Sequence, residues 1–269
     1  MPTRMLDVLG ARTRLIERGD GPPLLLLHGN PDTAELWSGV IEQLKSAHRC
    51  YAPDLPGFGA SALPAGFDMS MESAAAWIDA LLDAAGIGGQ VDLAVHDVGG
   101  PYGLAWAVAH PARVRRLVIF NTVFFGDFRW HFWARVWRTP MLGELTMKLM
   151  NERMFIREIQ RGSRRLSTAQ IRGMYANFTP AVRAAVLRFY RATDPQKLGD
   201  GEARLLQLTA RVPTRVLWGA HDPYIPQRFA SRFGTEDVQL FADCGHWLPA
   251  EAPEAVAAKM AEFLPGAGA

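Results

Sequence analysis

The chain has 269 residues, 49% of them hydrophobic, and a formal net charge of +2. That is core material for one large domain or one domain with an insertion, and the near-balanced charge argues against a chain built as a whole to bind nucleic acid or membrane. Two cysteines, Cys50 and Cys244, are too few for a disulfide framework or a metal site; with no basic-then-apolar leader and no apolar run long enough to span a bilayer, the expectation is a cytoplasmic protein with structural cysteines.

Residues 3–18 read as an exposed hairpin. The run Pro23-Leu24-Leu25-Leu26-Leu27, bounded by Pro and Gly, reads as a buried strand. An amphipathic helix is expected over 33–47, a strand over 49–53, and a helix over 70–85 with Ser70 as its N-cap and Gly86 as its stop. Further strands are expected at 90–95, 114–120, 212–218 and 238–241. A small-residue helix covers 101–110, ended by Pro111, and a closing helix runs over 249–264. Strands alternating with helices imply a mostly parallel sheet covered on both faces. The alternation stops between about 122 and 202, which is helical, aromatic and basic. Residues 129–191 hold 12 Arg, 1 Lys and 3 Glu, an excess of ten positive charges, which leaves the remainder at minus eight. Such a block reads as a solvated helical surface or as a device that steers anionic substrates.

The chemistry concentrates in Val95-His96-Asp97-Val98-Gly99-Gly100, which has the spacing of a nucleophile elbow, a sharp strand-to-helix turn that lifts one side chain above a sheet. Serine is usual at its centre; here it is Asp97. A carboxylate is suited to opening a strained ring or displacing a leaving group at saturated carbon, giving an alkyl ester on the protein. The competing reading is that Asp97 caps the following helix. Two further motifs follow in order: Asp222 within Trp218-Gly219-Ala220-His221-Asp222-Pro223, and His246 within Cys244-Gly245-His246-Trp247. His28-Gly29-Asn30-Pro31 follows the strand at 23–27, and Asp54 opens a Leu-Pro-Gly loop that reads as structural. His28, His96 and His221 flank the motifs without an assigned chemistry.

Taken together, these motifs resemble the α/β-hydrolase superfamily over nearly the whole chain, in its aspartate-nucleophile branch, which includes epoxide hydrolases and haloalkane dehalogenases. The resemblance implies an eight-stranded, mostly parallel sheet flanked by helices, with a core of residues 1–121 and 203–269 and an inserted helical cap of 122–202. It implies that Asp97 attacks carbon and that His246, oriented by Asp222, activates the water that hydrolyses the ester. The oxyanion donors would be backbone N–H groups of Asn30 and Val98. Epoxide hydrolases use cap hydroxyls to serve the ring oxygen: Phe189-Tyr190-Arg191 resembles the segment that carries one of them, and Tyr175 or His131 could supply the second. Dehalogenases place a Trp directly after the nucleophile to hold the halide. Val98 stands there instead, so Asn30 would need help from Trp130, Trp133 or Trp137. The resemblance therefore implies an epoxide hydrolase, with a haloalkane dehalogenase as the alternative and an ester or lactone hydrolase, or a non-catalytic binding protein, further off. Trp130, Trp133, Phe124, Phe125 and Trp247 would line the pocket. The expected protein is a monomer or homodimer that uses water and a small apolar organic substrate, with no cofactor, metal, nucleic acid or membrane.

Overall fold

A computed structural model describes residues 3–264 and Gly266. In chain order the elements are β1 (Thr3–Val8), β2 (Ala11–Arg18), β3 (Pro23–Leu27), α1 (Ser38–Leu44), β4 (Arg49–Pro53), α2 (Met71–Ala84), β5 (Val91–His96), α3 (Gly99–Ala109) and β6 (Val114–Phe120). Five helices follow: α4 (Phe132–Arg138), α5 (Leu142–Leu149), α6 (Glu152–Gly162), α7 (Thr168–Asn177) and α8 (Pro180–Ala192). The chain closes with α9 (Gly201–Thr209), β7 (Thr214–Gly219), β8 (Val238–Phe241), α10 (Leu248–Glu251) and α11 (Pro253–Phe263).

All eight strands form one sheet in the order β1-β2-β4-β3-β5-β6-β7-β8. The strands from β4 to β8 and β3 pair in parallel, whereas β2 runs antiparallel to both β1 and β4. Leu24 to Leu27 and every residue of β5 are buried, as expected of strands covered on both faces. Two helical groups flank the sheet: α1 packs with α11, while α2 and α9 lie on either side of α3. The five helices α4–α8 stand between β6 and β7, and α9 returns to the sheet through its contact with α3.

Three sequence expectations need correction. The hairpin at 3–18 is not exposed throughout, because Leu15 and Ile16 are fully buried where β2 joins β4. The helix expected over 33–47 is a 3-10 turn (Ala34–Trp37) followed by a short α1 that ends at Leu44. The closing helix breaks at Ala252 (φ −144°), where Pro253, lacking an amide hydrogen, starts a new helix instead of continuing the old one. Ser70 does cap α2, its hydroxyl accepting from the Ser73 amide at 3.1 Å, and Gly86 follows at φ +76°. Cys50 and Cys244 are buried and free, and burial pushes the Cys50 thiol up to about 12. Among the described residues no helix is long and apolar enough to cross a membrane, and no cluster of His, Cys, Asp or Glu could hold a metal ion.

Candidate active site

Asp97 sits at the C-terminal end of β5 with φ +45°, a left-handed conformation that a non-glycine residue adopts at a cost of about 1–3 kcal/mol. The turn is held by its own carbonyl, which accepts from the Gly100 amide at 2.9 Å and from Thr122 Oγ1 at 2.7 Å. The helix-cap reading of Asp97 fails. Val98 occupies the N-cap of α3 without a side-chain cap, and the Asp97 carboxylate turns away from the helix. Its Oδ2 accepts from the Asn30 amide at 2.7 Å.

The ends of β3, β6, β7 and β8 supply the rest. His28 is buried, and its Nε2 accepts from the Leu55 amide at 2.9 Å, which leaves Nδ1 to donate to the Gly29 carbonyl at 2.8 Å and fixes the peptide leading to Asn30. Asp54 accepts from the amides of Ala34 and Ala60 at 2.8 and 2.9 Å, a structural role in the neighbouring loops. At the end of β7, Asp222 is saturated with donors. Its Oδ1 accepts from the amides of Tyr224 and Ile225 at 2.7 and 3.0 Å, and its Oδ2 from Asn121 Nδ2 at 2.9 Å and from His246 Nδ1 at 2.7 Å. Asn121, at the end of β6, thus holds the acid that holds the histidine.

His246 Nε2 lies 3.8 Å from Asp97 Oδ1, too long for a hydrogen bond but close enough for strong charge coupling. Burial opposes a charge on the ring, yet Asp222 and then Asp97 outweigh it and raise its pKa to about 10. The resting site therefore holds an imidazolium between two carboxylates. A histidine raised in this way adds folding stability in full below its ordinary pKa near 6.5, and that contribution is lost as the pH rises through 10. Burial also opposes ionisation of Asp97, but His246, His96 and the Asn30 N–H together hold its pKa below the usual value. His96 packs its ring 4.9 Å from that of His246; burial lowers it to about 4, so it is neutral and donates from Nε2 to the His246 carbonyl at 2.8 Å.

The loop bearing His246 packs directly on the backbone of its neighbours. A Cβ added at Gly219 would lie 1.8 Å from the Gly245 carbonyl oxygen, and one at Gly245 would lie 2.1 Å from that of Gly162. Strand end, histidine loop and the end of α6 are stacked with no side chain between them. The buried Glu251 ties the same layers: it accepts from the amides of Gly245 at 3.0 Å, Trp247 at 3.2 Å and Arg164 at 3.1 Å, while the His246 amide donates to Gly162 O at 2.7 Å.

Above the carboxylate lies a cavity whose empty volume is about 830 Å³ including its open mouth. Its floor is Asn30, Asp97, Val98 and His246, and an apolar roof is provided by Trp130 of the loop before α4 and by α4–α8, including Trp133, Trp137, Phe155 and Phe189. Tyr190 is buried in this roof. Its hydroxyl receives Asn30 Nδ2 at 3.4 Å and lies 3.5 Å from His131 Nε2. Because His131 Nδ1 accepts the Ala134 amide at the start of α4, its hydrogen is on Nε2 and points to Tyr190. Burial lowers His131 to about 4, so it is neutral there.

The sequence expectations are met unevenly here. Trp130, Trp133 and Trp247 line the cavity together with Tyr190 and His131. Phe124 and Phe125 do not: Phe125 stacks on Phe229 at 5.6 Å beneath the Arg232 guanidinium, and Phe124 is buried beside Gly201. Tyr175 lies behind the roof, packed on Phe155 at 5.4 Å and outside the cavity lining, so it does not reach the cavity as a second donor. The sequence reading missed Tyr224, whose ring lies 5.2 Å from that of His246 and whose hydroxyl bonds Glu158. Its place two residues after Asp222 was the available signal.

The family profile described as the alpha/beta hydrolase fold matches residues 22–253. A cis-3-alkyl-4-alkyloxetan-2-one decarboxylase of Shewanella oneidensis is 30% identical over 95% of this chain and 86% of its own. Haloalkane dehalogenase 2 of Mycobacterium bovis is 28% identical over 97% and 94% of the two chains. Epoxide hydrolase A of Mycobacterium thermoresistibile superposes with a TM-score of 0.81 over 98% of both chains at 22% identity, a likeness of fold.

Proposed function

The chain belongs to the α/β-hydrolase family, and we propose that it opens epoxides to vicinal diols through a covalent alkyl ester on Asp97. The observation that carries this reading is the Tyr190 hydroxyl. Both of its polar neighbours, Asn30 Nδ2 and His131 Nε2, are donors, so its own proton is left for a ring oxygen in the cavity. A phenol suits that task, since an alkoxide leaves poorly without a proton.

The steps balance as follows. Asp97 Oδ1 attacks a ring carbon, the C–O bond breaks, and the ring oxygen takes the Tyr190 proton, the phenolate being received by two N–H donors. Esterification removes one of the two anions that hold the proton on His246. His246 then gives up its proton, which passes through the cavity's water to the Tyr190 phenolate, and the neutral ring becomes a base for the water that attacks the ester carbonyl. Oδ2 already accepts the Asn30 amide, and Val98 heads α3, where backbone N–H groups lack intrahelical acceptors, so both can receive the oxyanion. Collapse releases the diol and restores the Asp97 carboxylate. Water and a small apolar substrate are the reactants of this scheme, without a cofactor.

Tyr190→Phe is expected to slow alkylation by styrene oxide about 10–100-fold in single-turnover measurements, the loss of one charge-assisted hydrogen bond. Alkylation at the wild-type rate would remove Tyr190 from the mechanism. Asp222→Asn should slow hydrolysis of the ester by about 10²–10⁴-fold, as for the acid of other triads; a change below about threefold would mean that Asp222 does not orient His246.

A second reading has its own support. Trp130 and Trp137 line this apolar cavity and their buried indole N–H groups have no acceptor, so a departing halide could accept from them. The 30%-identical relatives suggest a third ring, an oxetan-2-one. There Asp97 would displace the ring carboxylate from C4, and loss of CO2 from C3 would form the alkene and expel Asp97 without water. The supported His246–Asp222 pair favours hydrolysis, because decarboxylation has no use for a base. Parallel assays of diol from styrene oxide, bromide from 1-bromobutane and alkene from a dialkyl oxetan-2-one test the choice. Turnover of either of the latter two with no diol formed overturns the epoxide reading.

A further inference from the structure

Ten large apolar side chains are exposed among the described residues, and six of them fall between positions 132 and 154: Phe132, Met141, Leu142, Leu145, Leu149 and Met154. Met141 is 83% exposed, and Phe132 and Leu149 are each 59% exposed. On α5 they form one stripe. Leu142, Leu145 and Leu149 follow at i, i+3 and i+7, while Gly143 and Met147 point inward and are buried. A globular surface rarely gathers this much apolar area without something to cover it.

The charges around the stripe indicate what covers it. Arg135 lies one turn beyond Phe132 on α4, Lys148 lies on α5, and Arg153, Arg157 and Arg161 follow at i, i+4 and i+8 on α6. All are exposed, and none makes a side-chain hydrogen bond or ion pair among the described residues. The three acids of residues 129–191 are already committed: Glu144 to Arg191, Glu152 to Arg172, and Glu158 to the Tyr224 hydroxyl. The helices that carry the apolar stripe thus keep a net excess of three positive charges, with Arg135, Lys148, Arg153, Arg157 and Arg161 unpaired among the described residues.

We infer that the outer face of α5, with the adjoining parts of α4 and α6, docks this protein on the surface of an anionic lipid bilayer. The leucines and Phe132 would enter the boundary between headgroups and acyl chains, and the arginines and Lys148 would meet lipid phosphates. The near-neutral total charge concealed this, because the acids that balance these cations lie elsewhere in the chain. The inner sides of the same helices wall the cavity, through Trp133 and Trp137 of α4 and Phe155 and Ile159 of α6. A docked molecule would hold its apolar cavity about one helix diameter, roughly 10 Å, from the lipid.

Co-sedimentation of the full chain with vesicles tests the inference. Binding to phosphatidylcholine vesicles that contain phosphatidylglycerol should exceed binding to phosphatidylcholine alone by at least about tenfold and should weaken as salt shortens the screening length. Two variants, Leu145→Ser/Leu149→Ser and Arg153→Glu/Arg157→Glu, should each lose most of this binding while keeping the wild-type melting temperature and the activity on a soluble substrate. Equal binding to both vesicle types, binding by neither, or unchanged binding by both variants overturns it. A dimer in light scattering that the leucine variant dissociates would assign the face to a second copy of the chain and likewise overturn it.

Discussion

Asp97→Asn is expected to fold normally and to lose nearly all turnover, by about 10⁴-fold or more, as in other enzymes stripped of a nucleophile. The fold should survive because an amide oxygen can still accept the Asn30 N–H that Oδ2 now accepts at 2.7 Å, and because the turn is secured through the Asp97 carbonyl rather than its side chain. Chemistry should stop because an amide oxygen is a poor nucleophile toward carbon and the anion beside His246 is gone. Substantial turnover in a preparation shown by intact mass to contain no regenerated aspartate would falsify the nucleophile assignment. It would also remove the basis for all three substrate readings, since each begins with attack by this carboxylate.

His246→Gln should separate the two half-reactions. Alkylation needs Asp97 and a proton donor in the roof, and both remain. Hydrolysis needs a base, and none of the neighbours can replace it: His96 is spent on the His246 carbonyl, and His131 lies in the roof against Tyr190. An epoxide should therefore accumulate on the protein as a peptide containing Asp97 that is heavier by the mass of the substrate. The wild type should show the matching pH signature. With pKa about 10 in the resting site, His246 carries a proton over most of the accessible range. Esterification removes the Asp97 anion, so the pKa in the intermediate falls below that of the free site, and the rate of ester hydrolysis should rise with pH to a plateau well before pH 10. A folded His246→Gln variant that can no longer be alkylated would show that the histidine is also needed for the first step.

The legible parts of this site are those fixed by local backbone geometry. Asp97 directly follows the buried strand β5, whose end leaves few places for the next residue to point, and the acid and the histidine follow within three residues of β7 and five of β8. The helices α4–α8 offered no such constraint. Tyr190 was readable from its neighbours Phe189 and Arg191, but Tyr175 lies on a helix whose rotation no local pattern determines, and it faces Phe155 and Arg183 instead of the cavity. Phe124 and Phe125 follow β6 closely enough to remain with the core, where Phe229 and Phe233 receive Phe125. The anchoring of Asp222 by Asn121 spans 101 residues and depends on β6 and β7 being neighbours, which only the assembled sheet supplies.

The stack of Gly219, Gly245 and Gly162, clasped by Glu251, bears on how this protein can change over evolutionary time. Lids on a shared scaffold are commonly regarded as interchangeable modules, replaced to alter what the scaffold accepts. Here the end of α6 is part of the seat of the base: its Gly162 carbonyl receives the His246 amide, and two residues later Arg164 shares the Glu251 carboxylate with the histidine loop. A transplanted lid would have to present a carbonyl and an amide at those two places, with no side chain where Gly162 lies against the rings of Tyr224 and Trp247, or the imidazole would lose its registration with both carboxylates. Innovation in substrate range is thereby directed to the α4–α5 edge, which can be rebuilt residue by residue, and away from the α6 junction, where novelty in the roof would come at the expense of the chemistry below.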